Sequence, residues 1–126
     1  MKLHISPDLK IKDIQNEFRK SFPYLKLGFF GKNHTVKEPS LMKDIVPDTA
    51  SLMEISGIMS EGEIEIRPGQ TVAELEQLFQ NKFSLFVQVF RKMGFAWIET
   101  TKTNYLTLEK QIEMGKESLD PIIILV

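Results

Sequence analysis

Residues 63–83 read EIEIRPGQTVAELEQLFQNKF. Glu63 and Glu65 alternate with Ile64 and Ile66, the period of a half-buried strand. Pro68-Gly69 turns the chain. Thr71-Val72-Ala73-Glu74 has the form of a capping box, in which the Thr hydroxyl accepts from a first-turn N–H and Glu74 reaches back. Val72, Leu75, Phe79 and Phe83 then recur at helical spacing, with Leu78 beside them. A strand therefore runs through a turn into a capped amphipathic helix.

The same pattern occurs earlier, at a fixed offset of 61. Ile5, Pro7, Ile11, Ile14, Phe18 and Phe22 fall on Ile66, Pro68, Val72, Leu75, Phe79 and Phe83. Duplication explains the echo, and so does convergence on a common strand–turn–helix pattern. On either account the two helices are expected to pack alike against a sheet.

Working outward, Leu3 and Ile5 alternate with Lys2 and His4 as a first strand. Ser6-Pro7 reads as a helix start, with Ser6 as N-cap and Pro7 in the first turn. Pro23 stops that helix, and Leu25, Leu27 and Phe29 mark a second strand, so residues 1–30 form a βαβ unit. Residues 31–50 read as an irregular excursion with one helical turn over 41–45. Residues 51–126 read as a ββαββ-helix-β unit. Met53 and Ile55 begin it, as a strand paired with Glu63–Arg67. Leu85, Val87 and Val89 lie on a later strand, which turns at Lys92-Met93-Gly94 and returns over 95–100. A short helix follows, capped by Thr107 and stopped by Gly115, and Ile122–Val126 is the final strand. The expected fold is a single α+β domain over 1–126, with a mixed or antiparallel sheet and two main helices on one face.

Three of these stretches carry a resemblance. They are Glu63–Leu75, the short helix in Leu106–Ile112, and the closing run Ile122–Val126. From residue 53 onward their order resembles the ubiquitin-like β-grasp superfamily. The resemblance implies a β-grasp-like C-terminal part and an interaction module rather than an enzyme. It does not imply conjugation, since the sequence ends Leu125-Val126 rather than Gly-Gly.

Composition narrows the chemistry. The chain has 126 residues, 16 basic and 17 acidic side chains, two histidines, no cysteine and a net charge of -1. That excludes a disulfide, a thiolate metal site and a cysteine nucleophile. His4 and His34 are far apart in sequence, so no metal site is expected, and no cofactor motif is legible. No apolar run reaches membrane-spanning length, and no signal peptide is evident, so no membrane association and a cytoplasmic location are the expectation. Neither half has the basic excess of a nucleic-acid binder.

The aromatic residues are unevenly placed. Five of the 12 fall within Phe83–Trp97. Alternation sends Leu85, Val87 and Val89 one way and Phe86, Gln88 and Phe90 the other. On the return strand it groups Phe95, Trp97 and Glu99 opposite Ala96 and Ile98. With the helices on the aliphatic face, Phe86, Phe90, Phe95 and Trp97 share the other, joined by Tyr24 and Phe30. Arg91 and Lys92 are placed at its rim.

Three readings follow from such a patch. It is core, covered by residues 31–60 or another layer. It is a protein or homodimer interface. Or it stacks single-stranded RNA bases, since Gly94-Phe95-Ala96-Trp97-Ile98 is similar to the RNA-recognition-motif signature. Met93 interrupts that signature, and Glu61, Glu63 and Glu65 repel phosphate, so nucleic acid is disfavoured.

Other motifs carry less. Gly28–Lys32 is too short for a phosphate loop, and Asn33 stands where Ser or Thr is needed. Glu63 and Glu65 read as solvated carboxylates. Neither histidine has a serine and acid arranged beside it as a triad. Thr100–Tyr105 is a polar loop that would matter only beside a pocket; there Thr101, Asn104 or His34 would support a small-ligand or enzyme site at an oligomer interface. The expectation is thus a non-catalytic protein-interaction or assembly module, with Phe86, Phe90, Phe95, Trp97, Arg91 and Lys92 as binding residues and a protein partner or a second copy as ligand.

Overall fold

The computed structural model describes residues 1–31, 46–56 and 61–119. In chain order the elements are β1 (Lys2–Ile5), α1 (Ile11–Ser21), β2 (Leu25–Phe30), α2 (Leu52–Ser56), β3 (Gly62–Glu65), α3 (Val72–Phe83), β4 (Phe86–Met93), β5 (Ala96–Glu99), a 3-10 turn (Thr101–Thr103) and α4 (Leu108–Glu117). The fold is α+β, with two antiparallel sheets ordered β1-β3 and β2-β4-β5. Among the described residues no helix is long and apolar enough to cross a membrane.

Strand pairing is set by which faces are apolar. Leu3 and Ile5 on β1, and Ile64 with the following Ile66, are buried on the same side of the small sheet. Leu25, Leu27 and Phe29 of β2 lie beside Val87 and Val89 of β4 on the buried face of the larger one. Ile11, Ile14 and Phe18 of α1 and Val72, Leu75 and Phe79 of α3 join both sheets in one core. The rings of Phe29 and Phe79 meet edge to face at 6.3 Å, an arrangement favoured by the aromatic quadrupole.

The echo in the sequence is a repeat in construction. Each strand of the first unit pairs with its counterpart in the second: Leu3 with Ile64, and Gly28 with Gln88. Both pairings are antiparallel, as a quasi-two-fold relation requires. Each main helix hands over to its strand through a residue in the left-handed region, Tyr24 (φ 70°) and Ser84 (φ 53°). Neither is glycine, so each turn is held at some steric cost.

Both units then hook a later segment back onto the main helix by the same backbone bonds. In the first, Ile11 and Lys12 donate to Ala50 and Asp48, and Leu52 and Met53 donate to Leu9 and Pro7. In the second, Val72 and Ala73 donate to Leu106 and Asn104, and Leu108 and Glu109 donate to Gln70 and Pro68. The N-cap positions Lys10 and Thr71 each form an isolated antiparallel bridge, to Ser51 and Thr107. Leu52 and Leu108 are buried at equivalent places.

Several expectations are corrected. Helix α1 starts at Ile11, not at Ser6-Pro7. Residues 6–9 form a turn in which the Ser6 hydroxyl donates to Asp8. Met53 and Ile55 lie in helix α2 rather than a strand, because Ser51 accepts from Glu54 N–H and starts a turn. Strand β3 pairs with β1 instead. Gly115 lies inside α4, not after it. Its lack of a side chain lets the helix approach the turn before β2, since a Cβ there would sit 2.9 Å from Tyr24 Cβ. The expected turn over 41–45 and the closing strand over 122–126 lie outside the described residues.

Candidate functional site

The face opposite the core on the larger sheet is built by register. Lys26 pairs with Phe90 and Phe90 with Glu99; Lys92 pairs with Trp97; Phe30 pairs with Phe86. These side chains all point away from Leu27 and Val89. Phe86, Phe90 and Trp97 are half-buried, while Phe30 and Gln88 are buried. Phe90 lies over Gly28, where a Cβ would meet its ring at 2.7 Å. The ring takes the space of the missing side chain, so part of the apolar face is closed by its own aromatics.

Phe95 leaves this face. Gly94 (φ 60°) and Phe95 form the tip of the β4–β5 hairpin, so alternation stops before the return strand begins. Phe95 is fully exposed there, beside an exposed Met93. Arg91 is also misplaced by the rim reading. It points to the helix side, where Nη1 donates to Gln111 Oε1 at 2.9 Å and lies 3.4 Å from Met114 Sδ. Gln111 is in turn buried and donates to Thr103 O and Oγ1. Arg91 therefore anchors α4, and Lys92 alone of that pair faces the aromatics.

Of the cations gathered around Trp97, sequence reasoning named Lys92 and missed Lys26 and Arg19. Lys26 Nζ and Lys92 Nζ each lie 4.9 Å from the indole centroid, and the Arg19 guanidinium lies 5.3 Å away. Lys26 also reaches the Phe90 ring. The indole quadrupole attracts each cation, while the cations repel one another. Burial holds the Lys26 ammonium below its usual range, and Arg19 and Lys92 push it further down. Among the described residues, none of the three makes an ion pair.

A groove of about 690 Å³ opens at this cluster. Asn16 and Arg19 from α1, Tyr24 from the following turn, Lys92, Trp97 and Leu119 line it. Among the described residues its wall holds no carboxylate. The signal for Lys26 was its parity with Phe90, legible only once β2 is known to pair with β4. Arg19 is on the exposed side of its helix by spacing, and nothing in the sequence ties it to Trp97.

A second polar cluster lies at the edge of β4. Glu76 Oε2 accepts from Val89 N–H at 2.9 Å, and the Thr100 hydroxyl donates to Val89 O at 2.8 Å. Glu76 is completely buried. Burial pushes its carboxyl up to about 8; nearby Glu99 adds to this, while the Val89 N–H opposes it. Gln15 holds the matching position in α1, and its amide donates to Leu27 O at 2.7 Å. The same helix position thus covers a strand edge in both units.

The remaining candidates that are described lie in the Thr100–Tyr105 segment and on the exposed faces of β1 and β3. Thr100–Tyr105 is a hook: Asn104 O accepts from Ala73 N–H, and Thr103 holds Gln111. Thr101 Oγ1 is buried with no hydrogen-bond partner among the described residues. His4 sits on the exposed face of β1, 3.3 Å from Glu61. Glu63 and Glu65 are exposed, and Arg67 bound to Glu65 lowers that carboxyl. Lys32, Asn33 and His34 lie outside the described residues. Among the described residues, no three His, Asp or Glu side chains are grouped to hold a metal. No family model, curated protein or solved structure matches this chain.

Proposed function

We propose that the chain is a non-catalytic interaction module whose contact face is centred on Trp97, and that it takes an acidic segment of a protein partner. The observation that carries this reading is the set of three cations, none in an ion pair among the described residues, around one half-buried indole. Gathering like charges is unfavourable, and a carboxylate-bearing ligand would relieve that repulsion. Phe95 and Met93 stand exposed at the hairpin tip and supply apolar anchors near the groove. Stacking of RNA bases is less well supported, because the protein's own ammonium and guanidinium groups already lie against the indole. The hairpin also does not offer Phe95 beside Trp97 on one platform.

Trp97 is the sole tryptophan, so its emission reports directly on the site. Titration with a glutamate-rich peptide containing one leucine should shift that emission, with affinity falling as salt rises. Lys26→Met and Phe95→Ala should each weaken the response in a folded protein. An emission spectrum unmoved by the peptide at low salt would sink the reading. Sedimentation of the free chain across concentration would instead reveal a second copy as the occupant.

A further inference from the structure

We infer that the groove beside Trp97 is a receptor for a phosphorylated side chain, so that the acidic segment it captures carries a phosphate dianion. The inference rests on the interaction reading above and names the ligand of the same face.

Arg19, Lys26 and Lys92 approach one indole from α1, β2 and β4, and none has an anionic partner among the described residues. Lys20, beside the same groove, is already paired with Glu17 at 3.0 Å. Arg19 and Lys92 therefore bring two positive charges to the wall and Lys26 a third beside the indole, while the wall contains no described carboxylate. A single side-chain carboxylate brings one charge and two oxygens. A phosphomonoester brings about -1.5 to -2 charges and three acceptor oxygens at neutral pH. The Arg19 guanidinium and the Lys92 ammonium, both lining the groove, can each take an oxygen of that ester, and Lys26 adds its charge from beside the same indole. The guanidinium supplies planar two-point contact, and the lysines act as mobile point charges.

Placement supports the same ligand. The three cations come from separate elements fixed by the core and the sheet register, so the cluster does not depend on one flexible segment. Lys26 and Lys92 are half-buried rather than free in solvent, and partial desolvation strengthens their attraction to an anion. The groove, at about 690 Å³, has room for a phosphorylated side chain and its adjoining backbone.

The test uses the full chain and the Trp97 emission. Three peptides of one neutral sequence are compared, with serine, glutamate or phosphoserine at the central position. The expected result is at least about tenfold tighter binding of the phosphoserine peptide than of the glutamate peptide, and no binding of the serine peptide. Inorganic phosphate should compete. Lys92→Met and Arg19→Gln should each lose about tenfold for the phosphoserine peptide, with circular dichroism unchanged. If the two acidic peptides bind equally, the phosphate inference falls while the interaction reading stands. If neither binds, both fall. If single-stranded RNA displaces the phosphopeptide at lower concentration than phosphate does, the ligand is a nucleic acid and the inference is overturned.

Discussion

The β1-α1-β2 and β3-α3-β4 units are built alike and differ at the edges of their strands. In the first, Gln15 sends a neutral amide to the carbonyl of Leu27. In the second, Glu76 occupies the matching helix position and accepts from the N–H of Val89. The backbone gives each edge both donors and acceptors, so either polarity can be covered. The choice has a consequence, because an amide does not titrate and a buried carboxyl does. The second unit therefore carries the pH response of the core. The caps differ too. Thr71 accepts from Glu74 N–H with its own hydroxyl, whereas Lys10 caps α1 without a side-chain bond and relies on Asp13 accepting from its N–H. A fold can be shared while the local chemistry is free to diverge.

The shared core offers the largest effect. Phe18 and Phe79 are completely buried at equivalent positions. Phe18→Ala and Phe79→Ala should each destabilise by about 3–5 kcal/mol, read from urea midpoints. Because both rings belong to one core cluster, each variant should still unfold in a single transition. Two separate transitions would break the comparison and show that the units unfold independently.

The edge groups come next. Glu76 holds its proton more tightly in the folded chain, near pH 8, than in the unfolded one, where glutamate titrates near about 4.3. The folded form gains from that proton fully below the unfolded value. Its contribution then shrinks as pH rises toward 8 and is gone above it, a loss on the order of a few kcal/mol. Glu76→Gln should remove this pH dependence and gain stability relative to the native chain at pH 9. Equal pH profiles would show that burial does not hold the proton. The reverse exchange, Gln15→Glu, turns a carboxylate toward the Leu27 carbonyl and should cost about 1–3 kcal/mol at pH 7.

A smaller effect of similar kind is expected at the α4 contact. Gly115→Ala must displace Tyr24 or shift the helix, costing about 1–3 kcal/mol. It should also perturb Trp97 emission, since Tyr24 and Trp97 line one groove. The smallest effects sit at the caps. Thr71→Ala and Thr107→Ala should each cost about 1 kcal/mol by thermal unfolding. Lys10→Ser should stabilise α1 by several tenths to about 1 kcal/mol, making the first unit's cap resemble the second's.

Much of this architecture was legible from spacing. The stripes Ile11-Ile14-Phe18 and Val72-Leu75-Phe79 identify both main helices, because a 3.6-residue period leaves one face dry. The offset of 61 correctly aligned them. Met53 and Ile55 misled, since two apolar residues in alternation cannot separate a strand from one helical turn. The aromatic face was only partly readable. Phe86, Phe90 and Trp97 do share a side of the sheet, but the two-residue turn at Gly94-Phe95 removes Phe95 from it. Arg91 followed the alternation of its strand to the helix side, where Gln111 holds it.

By itself the sequence determined the periods: two amphipathic helices, the strands around them, and the echo between the two halves. These are local consequences of where apolar side chains must point. Only the tertiary structure decided which strands pair, since many strands can satisfy an alternating face and the core selects one register. That selection put Lys26 opposite Phe90, brought Arg19 to Trp97, and buried Glu76 against the edge of β4. Charge becomes a site only when folding removes water and brings distant residues within a few ångströms, and neither condition is written in the order of residues along the chain.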